Sequence, residues 1–476
     1  MNMQTLGSNV AQDIERFKID WAFLKPELPW LQYKVLSRWS YTRDMLKLKV
    51  RSNDVSLRKW KLQRLGELVD WAFTSVPFYR DLYKEIGYSV GEIRSYDDFT
   101  RLPIISREHL PFVGDLNSYH LSSHLLHDEL RGLETTGSTG KPVQIMMDQS
   151  LTEIDTIHRM NMFEEMSGNQ LNPKEWIYNI NHAHWWHTNL CGFYRVFTVS
   201  QRCPIESIKQ HIQLLRPKFI SSIFSAAEKL ADSNIDLVGL GVTCLSTNSE
   251  TSTRTQRDKL EVSLNVKVRD EYSSEEVGLM AYECTEGNYH FLEHDTHIEL
   301  ITDSDSDLGR IVGTSLWNMA MPIIRYDQGD FGQWHGQTAG SNNGWAGEKC
   351  CCGSSYRRIK AIHGRIDDAF ISISNRLVPS GMMLEIAEKW LSHDDAGIIE
   401  FRVIQEEVNK IRILTIWKSG TPSNKAMQCI KNFTNEMCYL FHSKIDIELV
   451  TVDHIPPLNK LKRRIFFNNI KKQLNF

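Results

Sequence analysis

Strand-like and helix-like segments alternate through the middle of this chain, and that alternation limits the fold more than any other feature. β-rich runs at 143–147, 174–180, 217–224 and 236–245 are separated by helix-like stretches at 151–166, 225–231 and 253–264. A strand that runs into a helix and then into another strand favours a largely parallel sheet with helices over its faces. The expected fold class is α/β, in layers. No internal repeat or low-complexity tract interrupts the pattern. Upstream, Leu57, Trp60, Leu65, Leu68 and Trp71 recur at near-helical spacing. They predict a packing helix over 57–73 within a mostly helical region from 10 to 90.

The pattern changes after residue 335. Residues 335–349 are rich in Gly, Asn and Ser and read as an exposed loop. A second break falls at His363, Gly364 and Arg365. Beyond it come a helix at 380–391, two strands at 400–405 and 411–417 turning around Asn409, a helix at 425–441 and a strand at 445–451. That is a compact α+β unit of about one hundred residues. The expected division is a large domain over 1–364 and a small mobile lid over 365–476. A chain of 476 residues is long enough for two such cores.

Charge and composition exclude several classes. Lys+Arg is 55 against 59 Asp+Glu, so no basic excess points to nucleic acid or to an anionic membrane surface. The first residues lack the charged then apolar order of a signal peptide. No run approaches the ~18 apolar residues of a membrane span, and the expected location is the cytoplasm. Nine cysteines, an odd number, argue against a disulfide framework.

The sharpest local signal is Thr135, Thr136, Gly137, Ser138, Thr139, Gly140 and Lys141, followed by Pro142. Glycines let backbone N–H groups turn toward an anion, hydroxyls add donors, and Lys141 adds positive charge. The loop suits a triphosphate, although it lacks the order of a Walker A sequence. A polar turn between two strands would share this composition.

This segment resembles the phosphate loop of the acyl-adenylate-forming enzymes, the superfamily of acyl-CoA synthetases, adenylation domains and luciferases. Four further segments match in the same order. Tyr272, Ser273, Ser274, Glu275, Glu276, Val277 and Gly278 resemble the segment whose tyrosine stacks on adenine and whose glutamate binds Mg²⁺, which implies those roles for Tyr272 and Glu276. Ser273 stands where the family has glycine, and Glu275 where it has a hydroxyl residue. Arg325 to Asp330 resemble the segment whose last aspartate holds the ribose hydroxyls, so Asp330 takes that role. Gly364 to Asp368 resemble the hinge, with Arg365 reaching the ribose and Asp367 as pivot. Ile455 to Arg464 resemble the loop that brings a catalytic lysine into the site. The spacing favours Lys462, with Lys460 the alternative and Leu461 in place of a glycine. Ser249 and Glu250 resemble a pair that borders the nucleotide.

A narrower resemblance links the segment 281–295 and the later Cys350 to Gly353 to the phenylacetate–CoA ligase and coenzyme F390 synthetase branch. Cys284, His290, Cys350 and Cys352 would supply three thiolates and an imidazole, a donor set suited to a closed tetrahedral Zn²⁺ site with a structural role. His294 or Cys351 could replace one of them. The segment Asn181 to His187 corresponds to a stretch that lines the acid pocket in the superfamily. His184, Trp185 and Trp186 could cradle an aromatic or heteroaromatic acid, or pack as a core cluster.

The resemblance implies a ligase that uses ATP and Mg²⁺ to turn a small carboxylic acid into its acyl-adenylate. The acyl group then passes to an acceptor, with coenzyme A the commonest in the branch. A carrier-protein arm or an amine would use the same first half-reaction. A ligand-binding relative without turnover is the third reading, and Ser273, Glu275 and Leu461 are the residues that favour it. The expected partners are the acid and its acceptor, with no nucleic acid or membrane, and a homodimer is an admissible assembly.

Overall fold

The structure is a computed structural model. It describes residues 54–124, 130–135, 142–147, 149–172, 175–182, 185–187, 195–302, 308–335, 349–418, 420, 422–455 and 465–470. The chain forms two compact units. The first comprises residues up to Ser249, Leu260–Gln328 and Trp334–Lys360; the second comprises Glu250–Lys259, Gly329–Gln333 and Ala361 onward.

In the first unit, helix α1 (Asp54–Ser75) is followed by α2 (Pro77–Glu85) and the short α3 (Tyr96–Thr100). Leu57, Leu65 and Leu68 are buried, as their spacing predicts, whereas Trp60 and Trp71 are half-buried. Helix α3 begins with a capping box, in which Ser95 accepts from the Asp98 N–H and Asp98 accepts from the Ser95 N–H. Strands β1 (Arg131–Glu134) and β2 (Gln144–Met147) form a separate antiparallel hairpin. The run at 143–147 is therefore a strand but not part of the parallel layer.

After α4 (Gln149–Ser167) the chain enters the main sheet. Its next elements are β3 (Trp176–Asn181), β4 (Trp185–His187), β5 (Arg195–Ser200), α5 (Ile205–Leu215), β6 (Phe219–Ile223), α6 (Phe224–Asp232), β7 (Cys244–Asn248), α7 (Arg254–Leu264) and β8 (Lys267–Ser274). Strands β9 (Gly278–Glu283), β10 (Tyr289–Phe291), β11 (Thr296–Thr302), β12 (Leu308–Ser315), β13 (Tyr326–Trp334) and β14 (Arg358–Arg365) follow. The order across the sheet is β11-β12-β13-β14-β10-β9-β8-β7-β6-β3-β5-β4.

Strands β5, β3, β6, β7 and β8 are mutually parallel. The pairs β4/β5, β8/β9, β9/β10, β10/β14 and β11/β12 are antiparallel. The sheet is thus mixed rather than largely parallel, because tight turns such as 275–277 replace helical crossovers after β8. The run at 236–245 is also corrected. Residues 236–243 form a turn in which the Gly239 N–H donates to Asp236 Oδ1 at 2.9 Å and Gly241 takes φ +92°, and β7 starts only at Cys244.

Both faces of the parallel strands are covered. Tyr178, Ile180, Val199, Ile220, Leu245 and Val268 pack with α5 and α6 residues on one face. Ile177, Val196, Phe219 and Cys244 pack with Ile157, Met160 and Phe163 of α4 on the other. Phe163 stacks on Phe219 with centroids 4.1 Å apart.

In the second unit, β15 (Phe370–Ile371) pairs with β16 (Leu377–Val378) ahead of α8 (Ser380–Trp390). Then come β17 (Ile398–Glu407), β18 (Lys410–Trp417), α9 (Asn424–Phe441), β19 (Asp446–Thr451) and β20 (Phe466–Asn468), in the order β19-β18-β17-β20. Alternate residues Ile411, Ile413, Thr415 and Trp417 are buried, and the apolar ones among them join Phe433, Met437 and Phe441 of α9 in a core. None of the described helices is long and apolar enough to cross a membrane.

Candidate functional site

The glycine-rich loop lies between β1 and β2. Thr135 closes its base: its N–H donates to the Val143 carbonyl at 3.0 Å, and its hydroxyl accepts from the Val143 N–H at 3.0 Å. Thr136, Gly137, Ser138, Thr139, Gly140 and Lys141 lie outside the described residues.

Tyr272 sits half-buried near the end of β8, opposite Ala281 of β9, where the register slips between Tyr272 and Ser273. The reversal at 275–277 is held by the Val277 N–H on Ser274 Oγ at 3.1 Å, and Gly278 leaves it at φ +100°. Glu276 is half-buried and accepts from the Tyr326 hydroxyl at 3.3 Å. This bond holds one carboxylate oxygen and leaves the other free to take a hard cation. Glu275 is exposed. Arg159 lies in the field of Asp155, Glu271 and Glu275, and burial of its guanidinium is outweighed by these carboxylates. Ser273 is exposed and donates to Glu271 at 3.3 Å.

Ser249 directly follows β7 in the left-handed region at φ +62°, and its hydroxyl donates to Asn248 Oδ1 at 3.0 Å. Such a conformation turns the chain sharply out of the sheet at the end where parallel strands bind ligands. Glu250 follows, half-buried.

Within the second unit, Asp330 and Arg365 come together. Arg365 Nε lies 3.7 Å from Asp330 Oδ1; the arginine side chain is 46% exposed and the aspartate 11%. Gly329 between them takes φ +70°, and a Cβ there would stand 3.4 Å from the guanidinium. Gly364 takes φ +78°, and a Cβ there would stand 2.9 Å from Ser380 Oγ. Glycine at both positions meets a backbone demand and a space demand together. Asp367 is exposed in a single 3₁₀ turn, Ile366–Asp368, directly after Arg365. Lys462, with its alternative Lys460, lies outside the described residues.

The cysteine–histidine set is assembled. Donor atoms of Cys284, His290, Cys350 and Cys352 all lie within 4.8 Å of one another. Cys352 Sγ is 3.5 Å from His290 Nε2. A tetrahedral zinc with bonds of about 2.3 Å to sulfur and about 2.0 Å to nitrogen sets its ligands ~3.5–3.8 Å apart, so the donor set fits that ion. His290 Nδ1 is 3.2 Å from the Tyr356 carbonyl, which accepts its proton and leaves Nε2 with a lone pair. Asn288 donates to Cys350 Sγ at 3.4 Å. The hydrogen bond from Cys352 draws the Cys284 thiol well below its ordinary range.

Two turns of the same form present the cysteines. The Cys284 N–H donates to Asn288 and the Gly287 N–H to Cys284; the Cys350 N–H donates to Ser354 and the Gly353 N–H to Cys350. Both glycines have positive φ. The repeated Cys-x-x-Gly spacing was a readable signal for this centre. His294 is not among the four donors: its Nδ1 meets the Tyr356 hydroxyl at 2.5 Å. Cys351 is exposed.

The segment 181–187 is split. Asn181 ends β3, its side chain accepts from the His182 N–H at 2.7 Å, and His182 Nδ1 lies 3.0 Å from Gln201 Nε2. Trp185 and Trp186 belong to edge strand β4, opposite Thr198 and Phe197. Their side chains, and the whole of His184, lie outside the described residues.

Sequence reading missed a buried ionic cluster in the first unit. Glu293 is fully buried between Lys61 and Arg357, with Arg357 Nε at 2.6 Å. Lys61 also donates to the Thr296 carbonyl at 2.8 Å. Lys61 and Glu293 are 232 residues apart in the chain, and no local spacing connects them.

No protein-family model matches the chain. It is 26% identical over 348 residues to a phenylacetate–coenzyme A ligase of Thermus thermophilus, covering 66% of this chain and 72% of that protein. It is 22% identical over 273 residues to protein CapK of Staphylococcus aureus, covering 56% and 57% respectively. Among solved structures, 2-hydroxyisobutyryl-CoA ligase in its postadenylation state with R3-HIB-AMP superposes with a TM-score of 0.70 at 16% identity, over 89% of this chain and 92% of that one. The same enzyme with 2-HIB-AMP gives 0.69 at 17% identity, over 89% and 93%. The fold is that of the adenylate-forming acyl-CoA ligases, and in sequence the chain is a relative of phenylacetate–coenzyme A ligase.

Proposed function

We propose that this protein is an AMP-forming acid–thiol ligase, which joins a small aromatic or heteroaromatic carboxylic acid to AMP and then transfers the acyl group, with coenzyme A as the acceptor. The observation that carries the reading is the meeting of Asp330 and Arg365. Two segments assigned separately to the ribose bring their side chains to 3.7 Å, with Gly329 shaped around the guanidinium.

The acid carboxylate attacks the α-phosphorus of ATP, the bond to the β-phosphate oxygen breaks, and pyrophosphate leaves. The protein supplies alignment and charge rather than a nucleophile. Asp330 accepts from vicinal ribose hydroxyls, a charge-assisted pair, and Arg365 stands beside that carboxylate. Tyr272 offers an aromatic face to the adenine. Residues 135–141 receive the β- and γ-phosphates. Glu276, oriented by Tyr326, would hold Mg²⁺, which supplies neutralisation of phosphate charge when bound. Lys462 stabilises charge on the α-phosphate during the first half-reaction, and a swing about Asp367 then clears the way for the thiol.

The Cys284–His290–Cys350–Cys352 set would hold Zn²⁺ in a structural role, pinning residues 349–357 to the β9–β10 turn. The exposure of Glu275, which lets water screen its charge, favours the active ligase over a binding relative. The test is a product balance with acid, ATP, Mg²⁺ and coenzyme A. AMP, pyrophosphate and thioester in equal amounts support the assignment; ADP and phosphate would replace it with a different ligase chemistry. AMP released only with a carrier protein or an amine would change the acceptor and leave the first half-reaction in place.

A further inference from the structure

The sheet face beneath α4 changes character along its length. Ile177, Val196, Phe219 and Cys244 are in register across β3, β5, β6 and β7, and they pack against α4. Two residues further along each strand, on the same face, the register row is Asn179, Thr198, Ser221 and Ser246. Two residues on again, Asn181 pairs with Ser200 and Asn248 with Ile223, the one apolar residue in these two rows. The face therefore turns from apolar to amide and hydroxyl toward the carboxyl ends of parallel strands, where open α/β sheets receive their ligands. It runs in the chain directly into Ser249 and, through Glu271 on β8, into Tyr272.

These groups only partly satisfy one another. Asn248 Nδ2 donates to Ser221 Oγ at 2.9 Å, and Asn179 Nδ2 makes a long contact of 3.4 Å with Thr198 Oγ1. Asn179 Oδ1 and Ser246 Oγ have no protein partner, although Asn179 is 8% exposed and Ser246 is 0%. Both amide atoms of Asn161, on the covering helix, are likewise shielded and unpartnered. A buried polar atom without a partner costs about 1–3 kcal/mol, and packing alone would favour apolar residues at all of these positions. Asn179 Oδ1 accepts only, so its complement is an O–H or N–H donor.

We infer that the acid recognised here carries its own hydrogen-bond donor, a hydroxyl or amino group in addition to the carboxylate, and that Asn179 and Ser246 read it. This rests on the adenylation reading for the reaction but not for the binding preference. A site built to bond a polar substituent rejects the analogue that lacks it, because its own buried groups are then left unpaired.

The experiment compares aryl, heteroaryl and short aliphatic acids, each beside its hydroxyl- or amino-substituted counterpart. kcat/KM is taken from AMP formation, and affinity from calorimetry without ATP. The expected result is a preference of at least ~10²-fold for one substituted acid over its parent, with Ser246→Ala and Asn179→Leu each shrinking it about tenfold or more. Ser246→Ala removes a single oxygen, so it keeps the test open should Asn179→Leu fail to fold. Equal or better use of the unsubstituted parents, or a preference unchanged in Ser246→Ala, overturns the inference and leaves water as the partner of these groups. Selective binding without AMP formation upholds the inference and overturns the adenylation reading; neither binding nor turnover with any acid overturns both.

Discussion

Single side chains carry the sharpest expectations. Lys462→Ala should lower the adenylation rate by 10²-fold or more, the scale of losing one charge stabiliser at a reacting phosphate, while leaving thioester formation and AMP release from a supplied acyl-adenylate and thiol largely intact. Single-turnover kinetics with ATP and with the adenylate separate the two steps, and equal loss in both would remove Lys462 from its role. His297 sets a pH expectation. It stacks on Tyr96 and meets Phe99 edge-on, and burial, followed by the charges of Lys61, Arg357 and Arg325, pushes its imidazole well below its ordinary range. The unfolded chain therefore binds a proton near pH 6.5 that the folded chain refuses. Stability from this residue is complete above that pH and falls as pH drops below it, at about 1.4 kcal/mol per pH unit. His297→Phe should flatten the melting-temperature profile between pH 7 and 5 relative to the parent. Parallel profiles would show that His297 contributes nothing to it.

At the scale of elements, sequence legibility follows how local the determining interactions are. The helices at 54–75, 149–167, 380–390 and 424–441 and the strands at 176–181 and 410–417 were all readable, because their period and caps lie within the segment. The stretch 236–243 was misread, since its apolar residues serve a turn stapled by Asp236 rather than a strand. The run at 143–147 was read with the strands of the main sheet because a strand's partner is a tertiary fact; it pairs instead with Arg131–Glu134. The Cys284–His290–Cys350–Cys352 set was legible by residue type, but the Lys61–Glu293–Arg357 cluster was not, because its members come from distant segments. Protein purified without chelator should carry one zinc per chain. Cys284→Ser should lose it and lower the melting temperature by about 5 °C or more, whereas a metal-free parent with the same melting temperature would exclude a structural metal. In the second unit, a Cβ at Gly381 would stand 2.6 Å from the His363 backbone. Gly381→Ala should cost about 1–3 kcal/mol, measurable by urea unfolding, and no change in midpoint would contradict that packing.

For the molecule as a whole, the two units divide the work that the sequence motifs assign. Tyr272 and Glu276 belong to the first unit, and Asp330, Arg365 and Asp367 to the second. The fold was readable from the strand–helix alternation, and the order of motifs along the chain named the same superfamily that the structural neighbours share. The acid was not readable, because side chains that meet across the sheet, such as those of Asn179 and Ser221, lie far apart in sequence. The most direct test of the central claim is acid-dependent exchange of labelled pyrophosphate into ATP, with Mg²⁺ and without any thiol. The account predicts exchange with at least one class of small acid, since adenylate formation is reversible and needs no acceptor. ATP bound at full occupancy, with no exchange above background for any acid tested, would contradict it.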